Sequence, residues 1–267
     1  MRADVIKVRR ARERYRLHSG GQNLWLTFFP ELRSEPLAHG FGALAALNEG
    51  VLPPEGTMLT YSRRGSEIIT YVVDGTLSHK DGSGRGAQLL QAGDFQRSSV
   101  SHSDHVSYSN ASGRDELHVV QLSLLAEVPR QRKRPPEQKS FPVAQRVGGL
   151  RLVGSGNGRQ GSLSLDQDVR VYSGVFAAGQ QVDYGLDEGR IAWLQVVRGE
   201  LALGDTSLVA GDGAGVSGAG KLIVSARSAV ELILLDLAGV QPRCSTHTDG
   251  HNPMLFESFA SGAAAHG

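Results

Sequence analysis

The chain has 267 residues with 28 basic and 27 acidic side chains, a near-balance that calls for no nucleic acid, membrane surface or highly charged partner. Its one cysteine, Cys244, excludes an internal disulfide and fits a reducing compartment. A chain this long buries roughly 70–75% of its unfolded surface, so a core needs no covalent staples.

In chain order, the opening stretch "MRADVIKVRRARERYR" has no apolar core of a signal peptide, and no run of 18 apolar residues follows anywhere, so a cytoplasmic protein is expected. The basic run from Lys7 to Arg16 reads as a solvated face, with Val5, Ile6 and Val8 forming an edge strand. From Leu24 onward, short apolar runs such as "FGALAAL", "EIITYVV", "ELHVVQLSLL", "VRVYSGVF", "AWLQVV" and "VELILLDL" alternate with Gly, Asp, Asn and Ser. That spacing predicts antiparallel strands in a sandwich or barrel. The segment Ala126 to Ser140, "AEVPRQRKRPPEQKS", carries three prolines and five basic residues. Proline removes backbone donors and fixes φ, so this segment is expected to be an extended, solvated linker.

The chain also repeats itself. "YVVDGTL" (Tyr71 to Leu77) returns as "QVVRGEL" (Gln195 to Leu201), and "LLQAGDF" (Leu89 to Phe95) returns as "SLVAGDG" (Ser207 to Gly213). Each copy reads strand, glycine turn, strand, loop, Ala-Gly-Asp turn, strand, so two similar β units in tandem are expected. The expected organisation is a first unit over 1–125, a linker over 126–140, a second unit over 141–238 and a tail over 239–267.

These motifs carry a resemblance. "GTL…AGDFQ", the linker's "EQKSF", and "LWLTFFPEL…HGFGALAALNEGVLPPEG" with Phe41, Gly42 and Asn48 resemble the pirin family of bicupins, from about Val5 to Leu237. The resemblance implies an all-β fold of two tandem cupin β-sandwich barrels of the jelly-roll type, packed face to face, with a cavity in the first. It also implies the family label, quercetin 2,3-dioxygenase, and one iron or other divalent metal held by a His-x-His and a later His-x-Glu. Inward side chains on a strand are two residues apart, which is why the ligands come in such pairs.

Placed on this chain, those four positions fall on Tyr61, Arg63, Val106 and Tyr108. A guanidinium has no lone pair to give and valine has none at all. Two phenols without imidazole or carboxylate make a poor divalent site. The expectation is therefore a barrel with no metal and no cofactor.

Two rescues exist on paper. His102 and His105 lie in the same region, and His105 could build a relocated site with Glu67 or Asp104, although a one-residue slip turns a strand side chain to the other face. The tail offers "HTDGH", with His247, Asp249 and His251, which reads as incidental surface histidines; Cys244 beside it has nothing to activate it. The second unit has no histidine at all, and Tyr184 and Leu186 stand near its ligand strand. His79 beside a hairpin turn, His118 in a wall strand and His39 before "GFG" read as structural.

Arg63 is expected to pair with Glu67 inside the first barrel, either as a plug or as the anchor for a small anionic or aromatic ligand, with Tyr61, Val106 and Tyr108 lining the cavity. Arg64 is expected to face solvent. The favoured function is a non-enzymatic, small-molecule-binding or regulatory bicupin. The alternatives are a metal-dependent oxygenase of the quercetin 2,3-dioxygenase kind with an atypical site, and a protein-interaction module. The sequence names no protein partner.

Overall fold

The structure, a computed structural model, describes residues 5–19, 21–31, 35–58, 66–80, 86–99, 107–125 and 134–239. In the first half the strands are β1 (Val5–Arg9), β2 (Tyr15–Ser19), β3 (Gln22–Leu26), β4 (Leu44–Leu52), β5 (Thr57–Met58) and β6 (Ser66–Asp74). They continue as β7 (Thr76–Lys80), β8 (Gln88–Gln91), β9 (Asp94–Ser99), β10 (Ser107–Asn110), β11 (Leu117–Leu125) and β12 (Glu137–Ser140). The second half holds β13 (Arg151–Ser155), β14 (Leu163–Ser164), β15 (Val169–Phe176), β16 (Gln181–Leu186) and β17 (Arg190–Arg198). It ends with β18 (Glu200–Leu203), β19 (Thr206–Val209), β20 (Gly213–Ser217), β21 (Gly220–Ala226) and β22 (Val230–Ala238). The described residues are all-β apart from three single-turn 3₁₀ segments, and no helix among them is long and apolar enough to cross a membrane.

The two halves share their topology except at one edge, where β14 runs parallel to β13 but β2 runs antiparallel to β3. Each is a sandwich of one seven-stranded and one four-stranded sheet: β12-β9-β6-β11-β4-β3-β2 over β5-β10-β7-β8, and β1-β20-β17-β22-β15-β13-β14 over β16-β21-β18-β19. The halves also trade edge strands. β1 pairs antiparallel with β20 of the second sandwich, Ile6 opposite Val216, and β12 of the linker pairs with β9 of the first, Gln138 opposite Gln96. The N-terminal stretch thus forms an edge strand, but on the sandwich far from it in sequence, and the end of the linker is a strand rather than a free connector. Boundaries drawn at 125 and 140 do not anticipate this exchange.

The large sheets meet face to face. Leu47, Ile69, Tyr71, Val73 and Phe95 of the first form one apolar cluster with Trp193, Val197, Ile233, Leu235 and Leu237 of the second. This explains why "EIITYVV" and "VELILLDL" lack the alternation of a half-exposed strand: one face fills its own sandwich and the other fills the seam. Each large side chain buried there contributes about 1.5–3 kcal/mol.

The repeat also meets itself across the two halves, at an exposed position. Asp74 and Arg198, equivalent positions 124 residues apart, form an ion pair with each other. The glycines that follow them, Gly75 and Gly199, turn at φ +83° and +80°, and a Cβ there would lie 2.6 and 2.0 Å from a backbone carbonyl oxygen. No other residue fits these hairpins. Behind the pair, the buried Arg146 donates to Glu231 at 2.5 Å, to Ser173 at 3.0 Å and to the Phe141 carbonyl at 2.8 Å, and the Tyr71 hydroxyl donates to the same Glu231.

Candidate functional site: the polar interior of the first sandwich

Strand parity decides which side chains enter the first sandwich. On β6, Ile69, Tyr71 and Val73 belong to the seam, whereas Val72 packs with Leu77, Leu90, Tyr108 and Val119 inside. Even-numbered β6 residues therefore point inward. Ladder neighbours share a face, so Thr70 brings in Gln96 of β9 and Gln121 of β11, and Gln121 brings in Asn48 of β4. From the small sheet, Tyr108 of β10 stands opposite His79 of β7 and stacks on its ring, with centroids 4.7 Å apart.

The result is a core filled with neutral polar groups. Gln121 donates to the Thr70 hydroxyl at 3.1 Å, Gln96 donates to Gln88 at 2.7 Å, and the Tyr108 and Ser98 hydroxyls lie 3.4 Å apart. Three further polar atoms, Ser66 Oγ, Gln96 Oε1 and Ser123 Oγ, are buried without a hydrogen-bond partner among the described residues. Each such group costs about 1–3 kcal/mol against the same group in water.

The second sandwich supplies the control. Following the same ladders, Thr70 corresponds to Leu194, Gln96 to Ala214, Ser98 to Val216 and Gln121 to Leu234. His79 and Tyr108 correspond to Leu203 and Val224. All six counterparts belong to one apolar core. The counterparts of the idle Ser66 and Ser123 are Arg190 and Asp236, which close on each other at 2.6 Å. Arg170 at 3.0 Å and the Tyr184 hydroxyl at 2.5 Å complete the shell of this buried aspartate.

Of the side chains singled out from sequence, Tyr108 lies inside the first sandwich, fully buried. Tyr61, Arg63 and Val106 lie outside the described residues, as do Arg64, His102, Asp104, His105, Cys244, His247, Asp249 and His251. Glu67 corrects the sequence reading. It was expected to face the first cavity, but its odd position turns it to the seam, where its carboxylate accepts the Asp166 backbone N–H at 2.9 Å. Parity along β6 could have given this, since Glu67 and Tyr71 share a face.

His79, expected beside a hairpin turn as a structural residue, lies on strand β7, buried inside the sandwich with its ring stacked on Tyr108. His118 is on the outer face, 2.7 Å from Glu49, whose other oxygen takes Arg14 at 2.5 Å. Burial would raise the Glu49 carboxyl, but His118 and Arg14 outweigh it and hold it below the usual range. His39 is exposed in a turn.

Residues 152–237 match the family model of the quercetinase C-terminal cupin domain. Over 240 residues the chain is 30% identical to quercetin 2,3-dioxygenase of Escherichia coli K12, covering 88% of this chain and all of that protein. The chain belongs to the pirin family. A pirin-like protein of Caulobacter vibrioides is 27% identical over 76% of this pirin and 87% of its own length. Among solved structures, the bacterial pirin YhhW of E. coli in complex with nickel(II) superposes with a TM-score of 0.78, at 30% identity, over 88% of this chain and all of that one.

The donors described in this pirin do not fit such an ion. The interior offers amides, hydroxyls, one phenol and one imidazole. Burial raises the Tyr108 phenol above its ordinary range, so it stays protonated, and its ring is committed to the His79 stack. No group of three or more His, Cys, Asp or Glu side chains able to hold a metal occurs among the described residues. Divalent cations of this kind are held by imidazole, carboxylate and thiolate, and neutral amides and alcohols replace little of the hydration such an ion gives up.

Proposed function

We propose that this pirin is a metal-independent small-molecule-binding or regulatory protein, with the interior of the first sandwich as its ligand site. The observation that carries the proposal is the set of inward polar side chains whose counterparts in the second sandwich are Leu, Val and Ala on the same ladders. A fold that fills one copy with hydrocarbon has no structural need for Thr70, His79, Gln96, Tyr108 and Gln121 in the other. The unpaired Gln96 carbonyl accepts from a ligand hydroxyl or N–H, and the serine hydroxyls of Ser66 and Ser123 can donate or accept. On the sequence reading, Arg63 adds a permanent cation for a small anionic or planar aromatic ligand, with Tyr61 and Val106 completing the wall.

The competing reading is an oxygenase, supported by the activity in the name of the E. coli relative. Elemental analysis of protein purified without a histidine tag separates the two. The expected result is far less than one iron, nickel or other transition metal per chain and no flavonol turnover; a stoichiometric metal with turnover overturns the proposal. For the pocket, thermal-shift screening of small carboxylates and phenols should give a stabilising ligand whose effect is lost in Arg63→Ala. If Arg63→Ala instead lowers Tm without altering any ligand response, Arg63 is a plug.

A further inference from the structure

A second ionisable cluster lies away from the polar interior, where the first sandwich, the linker and the second sandwich converge. Glu67, at the start of β6, is 3% exposed. Among the described residues both its oxygens share a single donor, the Asp166 N–H, at 3.1 and 2.9 Å. The cation beside it among the described residues is Arg97 on the adjacent strand β9, itself 2% exposed. Its Nε stands 3.9 Å from Glu67 Oε1, beyond hydrogen-bond reach. Arg97 instead donates Nη2 to the Pro135 carbonyl of the linker at 2.7 Å, and its Nε and Nη1 are buried with no acceptor.

The other charges facing this junction are engaged elsewhere. Arg134 donates to Asp166 at 2.9 Å and to the Ser164 carbonyl at 3.2 Å. Glu137 accepts the Ser164 N–H at 3.1 Å and pairs with Lys139 at 3.1 Å. In the second sandwich the counterpart of Glu67 is Ile191, packed against the seam cluster. The fold therefore has no need of a carboxylate at this position.

A buried carboxylate beside a guanidinium with two idle N–H groups should close a bidentate pair. Arg97 thus lies between two acceptors, the Pro135 carbonyl that it holds and the Glu67 carboxyl that it leaves open. Burial, with the neighbouring Asp166 carboxylate behind it, pushes Glu67 up to about 7, against the pull of the Asp166 N–H, Arg97 and Arg134.

We propose that Glu67 and Arg97 form a proton-operated clasp on the linker. With Glu67 protonated, Arg97 holds the Pro135 carbonyl and seats the linker on the first sandwich. When Glu67 releases its proton to solvent, the carboxylate draws Arg97 to itself and frees Pro135.

The test uses the full chain. Carbon-13 NMR titration of the glutamate side-chain carboxyls should show one group with a midpoint near neutrality, absent in Glu67→Gln. Hydrogen exchange over residues 134–140, corrected for the intrinsic pH dependence of exchange, should be about tenfold faster at pH 8 than at pH 5.5, and pH-independent in Glu67→Gln. The proposal is overturned if every glutamate titrates below pH 5.5, or if linker exchange responds to pH equally in both proteins. Should Glu67→Gln not fold, Arg97→Lys decides, because lysine keeps the charge and loses the fork. Its linker should exchange fast at both pH values, and a linker still protected at pH 5.5 in that variant overturns the clasp.

Discussion

The interiors of the two sandwiches have the same strand order and the same ladder pairings and are filled with opposite chemistry. In the second, Leu194, Leu203, Leu234, Val216 and Val224 make a hydrocarbon core, and the polar side chains at its mouth satisfy one another around Asp236. In the first, the corresponding positions are amides, hydroxyls and an imidazole, with three polar atoms buried and unpaired among the described residues. Topology cannot account for that difference because topology is held constant. Buried polar groups that the fold itself does not require are stability given up for recognition, and they belong where function is sought.

The largest effect should come from attacking the self-satisfied side of the comparison. Asp236→Ala takes the fully buried carboxylate from Arg190, Arg170 and the Tyr184 hydroxyl at once, leaving Arg190 only Asp168 at 2.6 Å, and should cost about 3 kcal/mol in denaturant unfolding. A cost near zero would mean that the mouth of the second sandwich is not structural, and the contrast with the first would lapse.

Next comes Glu67, a seam charge whose counterpart in the second sandwich is the apolar Ile191. Its folded pKa lies above the unfolded value of 4.5, so the native state binds the extra proton. Stability should be fullest below pH 4.5 and fall as pH rises towards 7, by about 3 kcal/mol in all. The same measurement on Glu67→Gln should lack this component. Identical curves for the two proteins would place the titration elsewhere.

The smallest stability effect, and the sharpest functional one, should come from making the first interior resemble the second. Thr70→Val with Gln121→Leu removes both partners of one hydrogen bond, and the Tyr108 hydroxyl that Thr70 also meets keeps Ser98, so stability should change by no more than about 1 kcal/mol. Any ligand-induced thermal shift should disappear. Destabilisation with ligand response intact would make the polar set a structural network instead.

Much of the fold was legible before any coordinates. Strand runs, the Asp-Gly and Ala-Gly-Asp turns and the internal repeat led to two like sandwiches, because turn chemistry and repetition are local properties. The site was legible only in part. Tyr108 could be placed by matching a motif, but its stack on His79 could not, because the pairing of β7 with β10 joins segments distant in sequence. The exchange of β1 and β12 was not legible, since an edge strand's pattern says nothing about which edge it joins.

What the amino-acid order offered by itself was an expectation, that Tyr61, Arg63, Val106 and Tyr108 stand where the family resemblance would put metal ligands. Only the tertiary structure decided that Glu67 leaves the cavity for the seam and that a run of scattered Thr, Gln, Asn and His side chains converges on one interior. The reason is physical. Whether a polar group is costly depends on what surrounds it, and for residues as distant as Asn48, Thr70, Gln96 and Gln121 those surroundings exist only once the sheets have closed.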